Sequence, residues 1–200
     1  MFIQVIEGKT SDPAALQACM DRWQTDLKPQ AVGFLGSTDG ITADGDVILV
    51  ARFTDAAAAR ANSERPEQAE WWKEAEQCFD GPVTFHDTED VTEMRHGDCN
   101  AAGFVQVMEG TVTDRAAADR LDREADAMLA DLRPDLLGTT TAYFDGGQFA
   151  TLAYFTSERE ARRNESIPLP ENASPQVDEW QDVMQVDRYI DLTDPHLLKA

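Results

Sequence analysis

The chain has 200 residues, 42% of them hydrophobic and 28% charged, which is enough apolar material for one large or two smaller packed domains. Its formal charge of −21 repels phosphate backbones and anionic lipid, and so argues against nucleic acid and membrane surfaces as partners. No stretch has the length and apolarity of a membrane span, the first residues do not read as a signal peptide, and Cys19, Cys78 and Cys99 form no CxxC pair. These features predict a cytoplasmic protein with neither a disulfide framework nor a thiolate zinc site.

Phe2 to Gly8 reads as a β-branched-rich strand followed by turn residues. Ser11-Asp12-Pro13 then starts a helix, with a capping side chain and proline at the first helical position. Leu16, Met20, Trp23 and Leu27 fall on one apolar helical face, and Leu27-Lys28-Pro29 ends it. Two strands follow, Val32 to Thr42 and Val47 to Thr54, with Asp44-Gly45 as the turn between them. Asp55 opens an alanine-rich helix that Pro66 restarts, with Trp72, Ala75 and Phe79 as its buried face and Trp71 towards the rim. A strand from Pro82 to His86 completes the set.

The same set then recurs. Residues 2–12 (FIQVIEGKTSD) and 104–114 (FVQVMEGTVTD) share six of eleven positions, where chance gives roughly one. The same offset aligns Leu35-Gly36 with Leu137-Gly138, and ARFTDAAAARAN from Ala51 with AYFTSEREARRN from Ala153. After small insertions Trp72 matches Trp180 and Asp87 matches Asp191. In the second copy Leu121, Ala125, Met128 and Leu132 form the first helical face, Asp145-Gly146-Gly147 marks the hairpin, and Ser174-Pro175 starts a helix with Val177, Trp180 and Met184 inward. Asp187 to Leu192 is its closing strand. The chain therefore divides into a first repeat over 1–91, a linker over 92–102 read as a surface crossover, and a second repeat over 103–200.

The order βαββαβ is that of the ferredoxin-like unit, an α+β fold with an antiparallel sheet and both helices on one face. The other face of such a sheet needs a cover, and a second copy in the same chain supplies one. Two ferredoxin-like repeats packed sheet to sheet as a pseudo-dimeric barrel are thus expected, with further homodimerisation left open.

A polar residue in strand one, Leu-Gly in strand two, "ARF-T" in strand three and a broken second helix with Asn-Ser-Glu-Arg-Pro-Glu-Gln together resemble the dimeric α+β barrel superfamily, in its antibiotic-biosynthesis-monooxygenase-like branch. The resemblance covers both copies. It implies a ligand space between each sheet and its second helix, with a small aromatic or otherwise apolar molecule as the partner. It implies either a cofactor-independent monooxygenase or a non-catalytic small-ligand-binding, stress-response or assembly module. Many members of that superfamily carry a histidine early in the second helix, where this chain has Asn62 and Asn164. Asparagine is neither a general base near neutral pH nor a usual haem ligand, so no cofactor is expected and haem is disfavoured.

Several residues are candidates for the site, each with a plainer reading beside it. Asn62 and Asn164 either line a pocket or end a helical segment, where asparagine is favoured. Trp72 and Trp180 either wall a pocket or belong to the core. Gln4 and Gln106 lie mid-strand and must find partners, in a pocket or at the sheet junction. His86, with Asp87, Glu89 and Asp90 beyond it, is the candidate base, or else an exposed histidine at a strand end. No metal is assigned to that cluster, because neighbouring strand residues point to opposite faces. Arg52 and Tyr154 share one strand position in the two copies, so two pockets would differ, and Arg65 adds a hydrogen-bonding group to the richer first copy. His96 and His196, in linker and tail, receive no role. There is no P-loop, GxGxxG, HExxH or GxSxG motif, and the glycosylation patterns at Asn164 and Asn172 carry no meaning without a secretory signal.

Overall fold

The computed structural model describes residues 1–168, 170 and 174–200, so Asn172 and Ala173 of the second glycosylation pattern lie outside the described residues. The first half of the chain runs β1 (Phe2–Lys9), α1 (Pro13–Arg22), β2 (Phe34–Ile41), β3 (Asp46–Phe53), α2 (Ala56–Ser63), α3 (Pro66–Glu76), β4 (Thr84–Thr88) and β5 (Val91–Arg95). The second half runs β6 (Phe104–Val112), α4 (Arg115–Leu132), β7 (Leu136–Tyr143), β8 (Gln148–Phe155), α5 (Glu158–Glu165), α6 (Ser174–Val183), β9 (Met184–Leu192) and β10 (His196–Lys199). Local chemistry sets the helix starts. Asp12, Asp55 and Asp114 each accept a backbone N–H from the first turn of α1, α2 and α4, and Ser157 does so for α5.

Two units result, residues 1–89 with 196–200, and residues 90–195. The first holds an antiparallel sheet in the order β10-β2-β3-β1-β4, the second one in the order β5-β7-β8-β6-β9. Each is the ferredoxin-like βαββαβ sheet with one edge strand added. The segment 92–102, expected as a linker, instead continues β5 in its first part, and β5 pairs with β7. The last residues of the chain form β10 on β2 in the same way. Strands of five and four residues are too short to give a periodic signal of their own.

The Leu-Gly step shared by the two copies has a structural cause in this edge. Gly36 and Gly138 sit where the register of β2 on β3 and of β7 on β8 shifts by a residue. Both have positive φ, and a Cβ at either would come within 2.6 Å of Leu198 O or 2.3 Å of Met94 O on the added strand. Only glycine permits that bulge and that approach together.

In the first unit, Phe2, Trp23, Leu27, Phe34, Phe53, Ala59, Trp71, Ala75 and Leu198 form one core cluster, and Leu16, Val47, Leu49 and Phe79 a second. These place both helices on the sheet face that carries Phe2, Ile6, Val47, Leu49 and Phe53. One residue of the α3 face differs from expectation. Trp71 is the buried tryptophan, donating from Nε1 to the Cys19 carbonyl at 2.8 Å, while Trp72 is half-buried at the shoulder. Ala75 and Phe79 are buried as expected, but Trp71 rather than Trp72 shares their face, and Gln68 on the same side accepts the Trp23 indole N–H at 2.8 Å. In the second unit, Leu121, Tyr143, Phe149, Val183 and Met184 form one cluster and Phe104, Leu136, Phe155 and Ala161 another.

Candidate functional site

Residues directly opposite on paired antiparallel strands share a face. In the first unit one row beneath the helices therefore reads Asp87, Gln4, Ala51, Ser37 and Leu198 across the five strands. The next reads Phe85, Ile6, Leu49, Asp39 and His196. Phe85 meets Trp72 of α3 edge to face at 5.3 Å between ring centroids, and Trp72 also contacts Phe79 and Trp71. This face is thus aromatic towards α3 and interrupted by polar groups.

Gln4 donates from Nε2 to Asp87 Oδ1 at 3.0 Å, and Gln106 donates in the same way to Asp191 at 2.9 Å. The two residues that the copies share are therefore one half of a cross-strand pair that they also share. Asn62 is buried and accepts from Arg65 Nη1 at 3.0 Å, and the same nitrogen donates to the Leu27 carbonyl at 3.2 Å. Asn164 is likewise buried, donating to Asp135 at 2.8 Å, whose carboxylate also receives two hydrogen bonds from Arg133. Both asparagines thus tie the first part of the broken helix to the segment that ends the first helix.

His86 pairs in register with Val5, so it lies on the sheet face away from the helices, where its Nε2 is 3.8 Å from Glu7 Oε1. Arg52 and Tyr154 lie on that same kind of face, opposite Ile3 and Val105, and Tyr154 is fully buried. The structure does not bring His86 or Arg52 together with Gln4 and Trp72.

What sequence reasoning passed over is on the helix side. Asp39, 3% exposed, holds His196 through Oδ2 at 2.9 Å from Nδ1, while its Oδ1 is buried with no hydrogen-bond partner. Ser37, two residues earlier on the same face, has its Oγ buried without a partner as well. The signal was faint: a buried aspartate in a strand asks for a partner, and the partner arrives on β10, from the far end of the chain.

The second unit fills the corresponding positions differently. Its rows read Asp191, Gln106, Ala153, Thr139, Met94 and Tyr189, Met108, Thr151, Thr141, Thr92. Thr141 and Thr151 hydrogen-bond each other through their hydroxyls at 2.9 Å. Asp122 of α4 receives hydrogen bonds from Tyr143, at 3.4 Å, and from Trp180. Burial pushes the Asp122 carboxyl above its ordinary range, against the pull of those two donors. Burial, reinforced by the Asp122 charge, pushes the Tyr143 phenol up, so it stays a donor. Arg115 lies over the Tyr143 ring at 3.5 Å.

Among the described residues no helix is long and apolar enough to cross a membrane, and no group of three or more His, Cys, Asp or Glu is placed to hold a metal ion. No protein-family model matches the chain, and no curated protein matches it in sequence. Solved structures do match it along its whole length. A candidate monooxygenase from Lactobacillus acidophilus covers 98% of this chain and 92% of its own, at 13% identity and a TM-score of 0.66. One from Fusobacterium nucleatum covers 99% and 92%, at 9% identity and a TM-score of 0.70. An anthrone oxidase-like protein covers 100% and 92%, at 11% identity and a TM-score of 0.65. At these identities the likeness is one of fold.

Proposed function

We propose that this chain, a tandem-duplicated protein of the antibiotic-biosynthesis-monooxygenase fold, binds a small aromatic molecule against the helix side of its first unit and oxidises it with dioxygen without a cofactor. One observation carries the reading: the first unit sets an aromatic wall of Trp72, Phe85 and Phe79 beside the Gln4–Asp87 pair on the same sheet face. The likeness of fold to candidate monooxygenases and to an anthrone oxidase-like protein supports it. The reaction balances if a ring CH2 becomes a carbonyl and the second oxygen atom leaves as water. Three free thiols fit a reducing cytoplasm as the setting.

The second reading is a non-catalytic ligand-binding module. Its support is that the helix position occupied by histidine in the resembling proteins is an asparagine engaged by Arg65. Dioxygen uptake in the presence of anthrone-type or hydroquinone-type substrates separates the two. Uptake above the background of substrate alone, reduced in Trp72→Ala, is expected. Saturable binding of the same substrates with no uptake assigns the chain to the module, and neither binding nor uptake removes both readings.

A further inference from the structure

Cys19 and Cys78 stand 59 positions apart, yet the fold brings their Sγ atoms to 3.9 Å, within contact. Cys19 lies on α1, and Cys78 lies in the turn that leaves α3. Both are free thiols and both are half-buried. The two helices are docked at this point by other groups. Trp71 Nε1 donates to the Cys19 carbonyl at 2.8 Å, Arg22 pairs with Glu74, and Cys78 Sγ donates to the Glu74 carbonyl at 3.7 Å. Thr10 Oγ1 holds the turn by donating to the Cys78 carbonyl at 2.7 Å. The second unit is built differently: Leu121 stands at the Cys19 position, and the cysteine there, Cys99, donates to the Leu137 carbonyl at 3.6 Å. A cysteine kept for packing alone behaves as a small hydrophobe. Two cysteines in sulfur contact also have a reaction open to them.

We propose that Cys19 and Cys78 are a reversible oxidation site, which a peroxide converts to a disulfide that ties α1 to the end of α3. The inference does not depend on a ligand site. A disulfide holds its sulfurs about 2.05 Å apart, so the pair must close by roughly 2 Å, which side-chain rotation and the turn at Cys78 supply. The Cys19 thiolate attacks one peroxide oxygen, the O–O bond breaks, and water leaves with a sulfenic acid on Cys19. Cys78 then attacks that sulfur, the S–O bond breaks, the S–S bond forms and a second water leaves. Two thiols are oxidised and one hydrogen peroxide is reduced to two waters. Cys78 is the resolving thiol. Burial, and then the hydrogen bond and charge of Cys19, push it up and keep its proton on. Once Cys19 carries a neutral sulfenic acid, that charge no longer opposes the ionisation of Cys78. Because Phe79 follows Cys78 and packs on Trp72, the bridge fixes the far end of the α3 layer.

The test treats the reduced full-length protein with hydrogen peroxide and counts thiols in denaturant. The count should fall by two from the three free cysteines, the mass should drop by two hydrogens, and peptide mapping should join Cys19 to Cys78. Tm should rise by roughly 5 °C or more, because a link across a long loop removes chain entropy from the unfolded state. Dithiothreitol should reverse all of these changes. Cys99→Ser should behave as the wild type does. Cys78→Ser and Cys19→Ser should each lose the cross-link and the rise in Tm, and Cys78→Ser should instead gain oxygen on Cys19. An oxidised wild type that keeps all its thiols overturns the inference. So does one that adds oxygen to Cys19 and Cys78 separately, or that links chain to chain. A cross-link that leaves Tm unchanged or lowers it overturns the claim that the bridge ties the helices together.

Discussion

In the first unit the row beneath the helices runs Phe85, Ile6, Leu49, Asp39, His196, and in the second it runs Tyr189, Met108, Thr151, Thr141, Thr92. Strand order and register are the same at these positions, so the backbone does not distinguish the copies. The side chains do. Thr141 and Thr151 satisfy each other, and Tyr143 and Trp180 converge on Asp122, whereas Ser37 and Asp39 keep oxygens without partners. The same backbone row thus tolerates two polar solutions, a mutually bonded threonine pair in one copy and a histidine-bound aspartate in the other.

The largest expected contrast lies in the last helix of each unit. Trp71→Ala empties a buried site between Trp23 and Trp72 and should cost about 3–5 kcal/mol in urea unfolding. Its counterpart Glu179 pairs with Arg120 at the surface, so Glu179→Ala should change stability little. Equal effects would mean that the helices do not share the burden as the two cores suggest.

A sharper contrast is one of sign. Thr141→Val strands the Thr151 hydroxyl in the buried row, at a cost of about 1–3 kcal/mol. Ser37→Ala strands nothing and should stabilise by about 1 kcal/mol. Destabilisation by both, measured as Tm, would show that the Ser37 hydroxyl is satisfied within the fold.

The Asp122 carboxyl is raised in the folded chain by burial. As pH rises through the window just above the ordinary carboxylate range, the unfolded chain loses this proton before the folded chain does, and stability falls. The contribution is fully favourable below that window. Asp122→Asn should flatten this part of a Tm-against-pH profile, and an unchanged slope would show that Asp122 titrates normally. The smallest effect is a matched pair: Gln4→Ala and Gln106→Ala each break a bond to an aspartate and should each cost about 0.5–1.5 kcal/mol. A large difference between them would show that Gln4 also serves the ligand site.

Much of this was legible beforehand. Gln4, Gln106, Asp87 and Asp191 stood out as repeated identities, and the structure joins them in two equivalent pairs. Leu-Gly repeated because a bulge and an incoming edge strand need glycine there. Which tryptophan of α3 turns inward was not legible, because Trp71 and Trp72 are adjacent and equally apolar; Trp71 is the one whose indole N–H reaches the Cys19 carbonyl. Nor was the meeting of Asp39 with His196, which stand 157 positions apart in the chain.

The sequence by itself determined the duplication and the order of elements, since periodicity, caps and turn residues are local and act through neighbours a few positions away. Tertiary structure alone decided which strand edges β5 and β10 would join, which sheet face His86 would occupy, and which buried oxygens would be left without a donor. Those outcomes depend on pairing between distant segments, whose register fixes every side chain to one face or the other.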